Sequence, residues 1–322
     1  MVIRITRILL SIQLLIAAGI YLLATRKLGM SSHLLAAVLA VAAVLLVRML
    51  ITANNFGLSW LYRSETPDHH RLGRYAVARL FLTEYCASMM TSSWTMGFCT
   101  FRDRPGSAGF PPVLLVHGYG CNSGYWHFMS RALRRAGIGH HGIDLEPVLA
   151  GIDQFVPALH ARIEEICRQT GLAQVIIVGH SMGGLVARAY LRDHGAGRLA
   201  RVITLGTPHR GTGLARFGAG HNSRQMRWTG SAADGRCSAW LARLARREDP
   251  ALRPLFVSIY SHQDNIVAPQ LSSFLAGAVN IEFNGIGHVA LGLHPRVQQE
   301  VIAAIRASGK RLPKRTEPRS TT

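Results

Sequence analysis

The chain has 322 residues, of which 48% are hydrophobic and 16% charged, and its 36 lysines and arginines against 17 acids give a formal net charge of +19. The charged fraction is well below the ~25% usual in soluble domains, so the composition excludes a disordered polymer and an acidic, calcium-buffering protein. The five cysteines include no C-x-x-C pair and no cluster with histidine at zinc spacing, which argues against a disulfide scaffold or a zinc ribbon.

Two apolar runs near the N terminus predict a transmembrane helical hairpin over residues 1–53. The first run, 8–24, carries no charge, and the second starts at Leu34 and continues past Arg48, whose long side chain we expect to reach the lipid surface. The alternatives are a cleaved secretory signal followed by a buried helix, or two core helices of a soluble protein.

The basic residues around these runs predict which side of the membrane the rest of the chain faces. The flanking positive groups are the amino terminus, Arg4, Arg7, Arg48 and Arg63, and those of the connection are Arg26 and Lys27. The positive-inside rule then favours a multi-pass protein of a bacterial-type inner membrane with its termini in the cytoplasm. The periplasmic side is the alternative.

Residues 54–109 predict an amphipathic connector. Within it, 75–90 combines apolar positions with Arg79 and Glu84, which favours a helix packed on the following domain or lying on the bilayer surface over a third membrane span. The proline and glycines of 102–109 predict a loop at the domain boundary.

Strands and helices alternate from residue 110 to residue 309. The predicted strands are 113–116, 139–145, 174–178, 202–205, 255–260 and 280–283. The predicted helices are 125–136, 152–170, 184–194 and 295–307. Apolar strands separated by helices indicate an α/β fold, in which helices cover both faces of a mostly parallel sheet.

The sequence Gly179-His180-Ser181-Met182-Gly183 matches the pattern G-x-S-x-G. It lies between a predicted strand and a predicted helix, which is the context in which this pattern carries a serine nucleophile on a sharp turn. The small residues are needed because strand and helix crowd together there. Ser181 is therefore the candidate nucleophile.

A serine hydroxyl needs a base to take its proton and an acid to orient that base. Asp264 follows one predicted strand and His288 lies in a glycine-flanked loop after the next, in the order that this turn type requires. Two alternatives stay open: Asp264 caps a turn, or the base is His262 or His294. The other histidines are better explained as structural or surface residues than as metal ligands, and no metal or cofactor is predicted.

Attack by the serine on an ester carbonyl would form a tetrahedral intermediate with a negative oxygen, the oxyanion, which needs hydrogen-bond donors. Two backbone amides are the candidates. One is the backbone N–H of Met182, next to the nucleophile, and the other is that of Tyr119, in the glycine-rich turn after the first strand.

Several motifs in order, LLVHGYG, Asn122 with Trp126, VGHSMGG, residues 205–212 and the Asp264 and His288 loops, resemble the lipase and esterase branch of the α/β-hydrolase superfamily. The resemblance covers about residues 110–309 and includes bacterial triacylglycerol lipases and enzymes that act on lipid anchors. It implies that Ser181 is the nucleophile, Asp264 the acid and His288 the base, with the Tyr119 and Met182 amides as the oxyanion hole. We assign no acidic cluster to the calcium site that secreted relatives often carry.

The resemblance also predicts a substrate and a cap. Residues 207–250 lie where this fold carries a lid, and their irregular, amphipathic pattern predicts one; a plain surface subdomain is the alternative. Arginines in this segment and the basic tail, 310–322, favour an anionic phospholipid surface over nucleic acid, and the tail is predicted to be disordered. The expected function is a membrane-anchored serine hydrolase of lipid esters. The alternatives are an acyltransferase, a thioesterase or an inactive membrane-tethered scaffold.

Overall fold

The computed structural model describes residues 1–106 and 109–309. It begins with helix α1, Val2–Leu22, which a π-helical turn and a short loop connect to helix α2, His33–Leu61. Both are long and apolar enough to cross a membrane, and only 6% and 11% of their most apolar windows are buried. A signal sequence has the same length and composition at this position in a chain.

Helix α2 is longer than predicted, which corrects two expectations. It ends at Leu61, so the boundary at residue 53 falls inside a helix. Arg48 is therefore in mid-helix and does not extend to a lipid surface: its guanidinium donates to Gln13 Oε1 at 3.1 Å and Ser93 Oγ at 2.8 Å, and also bonds Ser92. The prediction for Arg48 was wrong because a count of apolar residues along one segment cannot show which polar side chains other helices contribute.

The connector forms helix α3, Arg74–Met90, followed after a π-helical turn by the short helix α4, Met96–Phe98. One face of α3 is buried, through Leu80, Glu84 and Ala87. Other α3 residues are exposed, Tyr75 among them, and the Tyr85 hydroxyl donates to the Leu45 carbonyl of α2 at 3.1 Å. Helix α3 thus lies between the apolar hairpin and the α/β region.

The α/β region follows the predicted alternation closely. Its first half contains β1 Val113–Val116, α5 His127–Arg135, β2 His140–Ile143, α6 Val156–Thr170, β3 Val175–His180, α7 Met182–His194 and β4 Leu199–Leu205. Its second half contains α8 Gly220–Gln225, β5 Trp228–Thr229, β6 Arg236–Cys237, α9 Ala239–Arg247, β7 Phe256–Ser261, β8 Val279–Phe283 and α10 Pro295–Gly309.

Six strands form one parallel sheet in the order β2-β1-β3-β4-β7-β8. Strand β1 is inaccessible along its whole length because both faces of the sheet are covered. Leu114 and Val116 face the core formed with α6 and α7, whereas Val113 and Leu115 face the core formed with α5 and α10. The predicted α/β architecture is confirmed.

Residues 207–250 are more regular than predicted. They contain a 3₁₀ turn, Gly213–Phe217, the helices α8 and α9, and the antiparallel pair β5 and β6. The apolar face of α9 is packed in the α/β core through Trp240, Leu241 and Leu244. The expected amphipathic character is thus present in α9, but packing inside the protein uses it. The predicted basic tail, 310–322, lies outside the described residues.

Candidate active site

Ser181 has a backbone conformation that residues other than glycine rarely adopt. It has φ 53° and ψ −121°, and it is the only non-glycine residue with positive φ in residues 1–106 and 109–309. The flanking glycines are required by space: a Cβ at Gly179 would lie 2.7 Å from the Gly184 nitrogen, and one at Gly183 would lie 2.3 Å from the Val116 oxygen. The turn predicted from the pentapeptide is therefore present, with Ser181 immediately before α7.

Neighbouring strands hold this turn from two sides. The Ser181 amide donates to the Leu205 carbonyl at 2.8 Å, and the Thr207 hydroxyl donates to the Ser181 carbonyl at 2.9 Å. On the other side, a Cβ at Gly118 would lie 2.9 Å from the Ser181 Cβ, so the loop after β1 touches the serine. Tyr119 is the next residue of that loop.

The residues whose amides are predicted to bind the oxyanion adjoin this turn: Met182 follows Ser181, and Tyr119 follows Gly118, which touches it. Met182 is the first residue of α7, so its N–H has no carbonyl partner within the helix. The hydroxyl of Tyr119 donates to the Ala219 carbonyl at 2.8 Å and accepts from the Ala219 amide at 3.0 Å. The Tyr119 side chain therefore connects the loop after β1 to the 207–250 segment.

Asp264 and His288 meet although 24 residues separate them. His288 Nδ1 donates to Asp264 Oδ2 at 2.7 Å, and both side chains are buried. The other carboxylate oxygen of Asp264 accepts the amides of Ile266 at 2.8 Å and Val267 at 2.7 Å. The acid is thus fixed by its own loop, and the remaining ring nitrogen of His288, Nε2, is left for another partner.

His288 lies on the same edge of the sheet as Ser181. Its carbonyl accepts a hydrogen bond from His180 Nε2 at 3.1 Å, and the two rings are 4.6 Å apart between centroids. A Cβ at Gly206 would lie 3.2 Å from His288 Nδ1 and 3.0 Å from Asp264 Oδ2. Within the described residues, the Ser181 hydroxyl makes no hydrogen bond to the His288 ring; in hydrolases that contact often tightens only when substrate is bound.

Charges around His288 decide its protonation. Burial opposes the imidazolium, but the Asp264 carboxylate and then Glu84 hold the pKa of His288 above its usual value. The neighbouring His180 is neutral because burial lowers its pKa well below the usual value. A neutral ring beside His288 adds no repulsion when His288 takes a proton.

The other two candidate bases lie elsewhere. His262 Nε2 donates to Glu282 Oε2 at 2.9 Å, and its ring stacks on that of His70. The pKa of His294 is lowered by burial and by the nearby Arg296 and Arg79. Of the three histidines, His288 is the one that bonds Asp264.

Among residues 1–106 and 109–309, one cluster has donor atoms close enough to hold a metal ion. The donors of His70, His262 and Glu282 lie within 4.8 Å of one another. Both histidines approach Glu282 Oε2 through Nε2, at 3.3 and 2.9 Å, whereas the buried Nδ1 of His70 has no hydrogen-bond partner. The cluster does not include Ser181, Asp264 or His288.

Two residues that touch the site were not predicted. Asn265 Oδ1 accepts the His288 amide at 2.9 Å, and Glu84 from α3 accepts the amides of Val289 and Ala290. The sequence carries one signal for Glu84, which is the only acid between residues 69 and 102. Nothing local to Asn265 reports its contact with a residue 23 positions away.

Comparisons with known proteins agree with this fold. Residues 111–220 match the family described as alpha/beta hydrolase fold. A triacylglycerol lipase from Pseudarthrobacter phenanthrenivorans is 32% identical over 114 residues, which is 33% of this chain and 35% of the lipase. The chain thus matches about a third of the length of that relative.

Two solved structures share the fold at low identity. A Bacillus licheniformis lipase in its propeptide form is 20% identical with a TM-score of 0.52, over 62% of this chain and 51% of the lipase. Aspergillus fumigatus lipase B is 19% identical with a TM-score of 0.52, over 61% and 52% of the two chains. The parallel sheet, the strained serine turn and these matches show that the chain has the alpha/beta hydrolase fold and resembles its lipase and esterase branch.

Proposed function

We propose that this protein is a membrane-anchored serine hydrolase that cleaves carboxylic esters of lipids through an acyl-enzyme on Ser181. The observation that carries the proposal is the buried Asp264–His288 pair beside the strained Ser181 turn. A serine on such a turn, with an acid-oriented histidine next to it, is the arrangement that nucleophilic acyl transfer requires.

The reaction follows from the roles of these groups. His288 Nε2 takes the proton of the Ser181 hydroxyl while the oxygen attacks the ester carbonyl carbon. The amides of Tyr119 and Met182 stabilise the negative oxygen of the tetrahedral intermediate. The intermediate then collapses, the C–O bond to the alcohol breaks, and His288 gives its proton to the departing alcohol. Water repeats the cycle on the acyl-enzyme and releases the carboxylic acid.

Asp264 has a separate task. It keeps the Nδ1 proton in place, so that Nε2 is the basic nitrogen, and it stabilises the imidazolium that forms during attack. Its two backbone hydrogen bonds keep it oriented while the proton moves on the other side of the ring.

The N-terminal region supports a lipid substrate. The ring of Tyr62, immediately after α2, packs directly on Gly213, where an added Cβ would lie 2.4 Å from the ring. The Tyr62 hydroxyl accepts a hydrogen bond from Arg216 at 3.1 Å. The adjacent Phe217 is 60% exposed. An exposed aromatic residue beside the end of an apolar helix suits contact with a bilayer surface. The exposed arginines of the same segment suit anionic lipid head groups.

Covalent labelling tests the chemistry. The full chain, purified in detergent, is treated with a fluorophosphonate probe, and we expect stoichiometric labelling that Ser181→Ala abolishes. Ser308→Ala, a serine on α10 that bonds only its own helix, is the matched control and should label normally. A well-folded wild-type chain that does not label would overturn the enzyme assignment and favour an inactive scaffold.

Substrate class and anchoring need their own measurements. Release of fatty acid from phosphatidylglycerol vesicles or from a triacylglycerol emulsion supports lipid ester hydrolysis, whereas transfer to an added alcohol in place of release supports an acyltransferase. Resistance of the protein to alkaline extraction from membranes, with residues 1–24 still present by mass spectrometry, supports a two-helix anchor. Absence of those residues supports a cleaved signal sequence.

A further inference from the structure

Glu84 is a buried acid that reaches the active site from outside the matched hydrolase region. It lies on α3, before β1, and its side chain is 0% exposed. One carboxylate oxygen accepts the Val289 amide at 2.9 Å and the other accepts the Ala290 amide at 3.0 Å. These two residues directly follow His288, so Glu84 holds the backbone on which the histidine is mounted.

The contact is close enough to explain one glycine of the His288 loop. A Cβ at Gly287 would lie 2.4 Å from Glu84 Oε2. Three consecutive amides are therefore held by side chains from other elements: that of His288 by Asn265, and those of Val289 and Ala290 by Glu84. The ring of His288 can rotate only about its own side-chain bonds.

The carboxylate form suits this position better than an amide would. Burial raises the pKa of Glu84, while the two donated amides oppose that shift. Because each oxygen accepts one N–H, a glutamine would present one of the amides with its own NH₂ group. The arrangement thus requires an acceptor at each of the two side-chain atoms, which a carboxyl group supplies and an amide does not.

A second residue of the segment before β1, Ser64, also contacts the loops of the site. Ser64, just after α2, donates its amide to Gln270 Oε1 at 3.1 Å, and Gln270 Nε2 donates to the Asp264 carbonyl at 2.9 Å. The Ser64 hydroxyl also accepts the Leu271 amide at 3.1 Å. The segment before β1 therefore supports both the acid loop and the histidine loop.

We propose that Glu84 is a positioning residue for His288, which fixes the histidine backbone and adds negative charge beside the imidazolium, so that the N-terminal helical region completes the active site. This inference rests on the proposed function. It predicts that the segment before the hydrolase region tunes catalysis and does not serve as an anchor alone.

The charged and titratable groups that face His288 give the sign of the effect. The two acids are Asp264, from the loop after β7, and Glu84, from α3. The other two groups are uncharged: burial lowers the pKa of His180, at the end of β3, and raises the pKa of Tyr125, which stacks on His180. Removal of the Glu84 charge leaves less negative charge near the ring. The pKa of His288 then falls, and the histidine is a free base at lower pH.

The test compares Glu84→Gln with Thr83→Ala in the full chain in detergent. Thr83 is the adjacent exposed α3 residue, and its hydroxyl bonds only its own helix. Ester hydrolysis is measured against pH and divided by the number of sites that a fluorophosphonate probe labels. We expect kcat per labelled site to fall about 10- to 100-fold in Glu84→Gln, with the acidic limb of the profile at lower pH, and no change in Thr83→Ala.

The outcomes separate this inference from the proposed function. A wild-type chain that neither labels nor hydrolyses esters overturns the proposed function. An active wild type together with a Glu84→Gln variant of unchanged rate per labelled site, or of unchanged acidic limb, overturns the positioning role alone. A variant that loses cooperative unfolding makes Glu84 a folding residue and also overturns it. Gly287→Ala, which displaces the carboxylate while keeping it, should lower the rate per site in the same direction.

Discussion

The hairpin and the α/β sheet have similar apolar sequences but opposite surroundings. The four residues of β1 are 0% exposed, whereas Leu14 and Leu15 of α1 are 71% and 72% exposed. In the sheet, helices on both faces supply the apolar environment. In the hairpin, the protein covers little of the apolar surface, and such a surface requires lipid or another apolar partner.

Several polar side chains of the N-terminal region, unlike its apolar ones, have partners within the protein. Three buried or half-buried polar residues of the N-terminal region bond one another's segments or the α/β region: Arg48 bonds Ser93, Ser64 bonds Gln270, and Glu84 bonds the Val289 amide. The N-terminal helices thus expose much of their apolar surface, whereas Ser64 and Glu84 connect this region to the loops that follow β7 and β8.

The largest expected effect separates chemistry from stability. Asp264→Asn keeps the shape of the acid but removes its charge, so that His288 can adopt the wrong tautomer. We expect kcat to fall about 10⁴-fold, measured as ester hydrolysis per mole of folded protein. Retention of even a tenth of the activity would contradict the role given to Asp264.

The contrast in burial is tested by a matched pair of leucines. Leu115→Ala removes a fully buried side chain from β1 and should lower the free energy of unfolding by about 2–5 kcal/mol. Leu15→Ala, on the exposed face of α1, should change it by no more than about 0.5 kcal/mol. Denaturant unfolding in detergent measures both, and equal effects would contradict the contrast.

A smaller effect is expected where the hairpin meets the polar turn after α3. Arg48→Met leaves the oxygens of Gln13 and Ser93 without their donor, and we expect a loss of about 1–3 kcal/mol in the free energy of unfolding. Arg26→Met, an exposed arginine of the connection, is the control. If the two variants unfold alike, Arg48 makes no net contribution to the packing of these helices.

The smallest effect is a shift along the pH axis. His288 must be unprotonated to accept the serine proton, and its pKa is raised by Asp264 and Glu84 against the effect of burial. Activity should therefore be lost as the pH falls through a value above the usual 6.5 of a histidine. The acidic limb of kcat/KM against pH measures this value, and a midpoint at or below 6.5 would contradict a raised pKa of His288.

Local patterns in the sequence predicted the strands, the α/β fold and the serine turn. The strand at Val113–Val116 is an apolar run, and the Ser181 turn is a five-residue pattern with glycines at fixed positions. Such features depend on neighbouring residues, so the chain carries them in readable form. The predictions of where α2 ends and of what surrounds Arg48 were wrong, because both features depend on partners distant in the sequence.

The sequence by itself therefore determined the fold class, the strained serine turn and the presence of two apolar helices. Tertiary structure decided that His288, and neither His262 nor His294, bonds Asp264, that α9 packs in the core, and that Glu84 reaches a loop about 205 positions later. The physical reason is range: periodicity and glycine placement act over a few residues, whereas a buried acid acquires its partners only when the sheet brings distant loops to one edge.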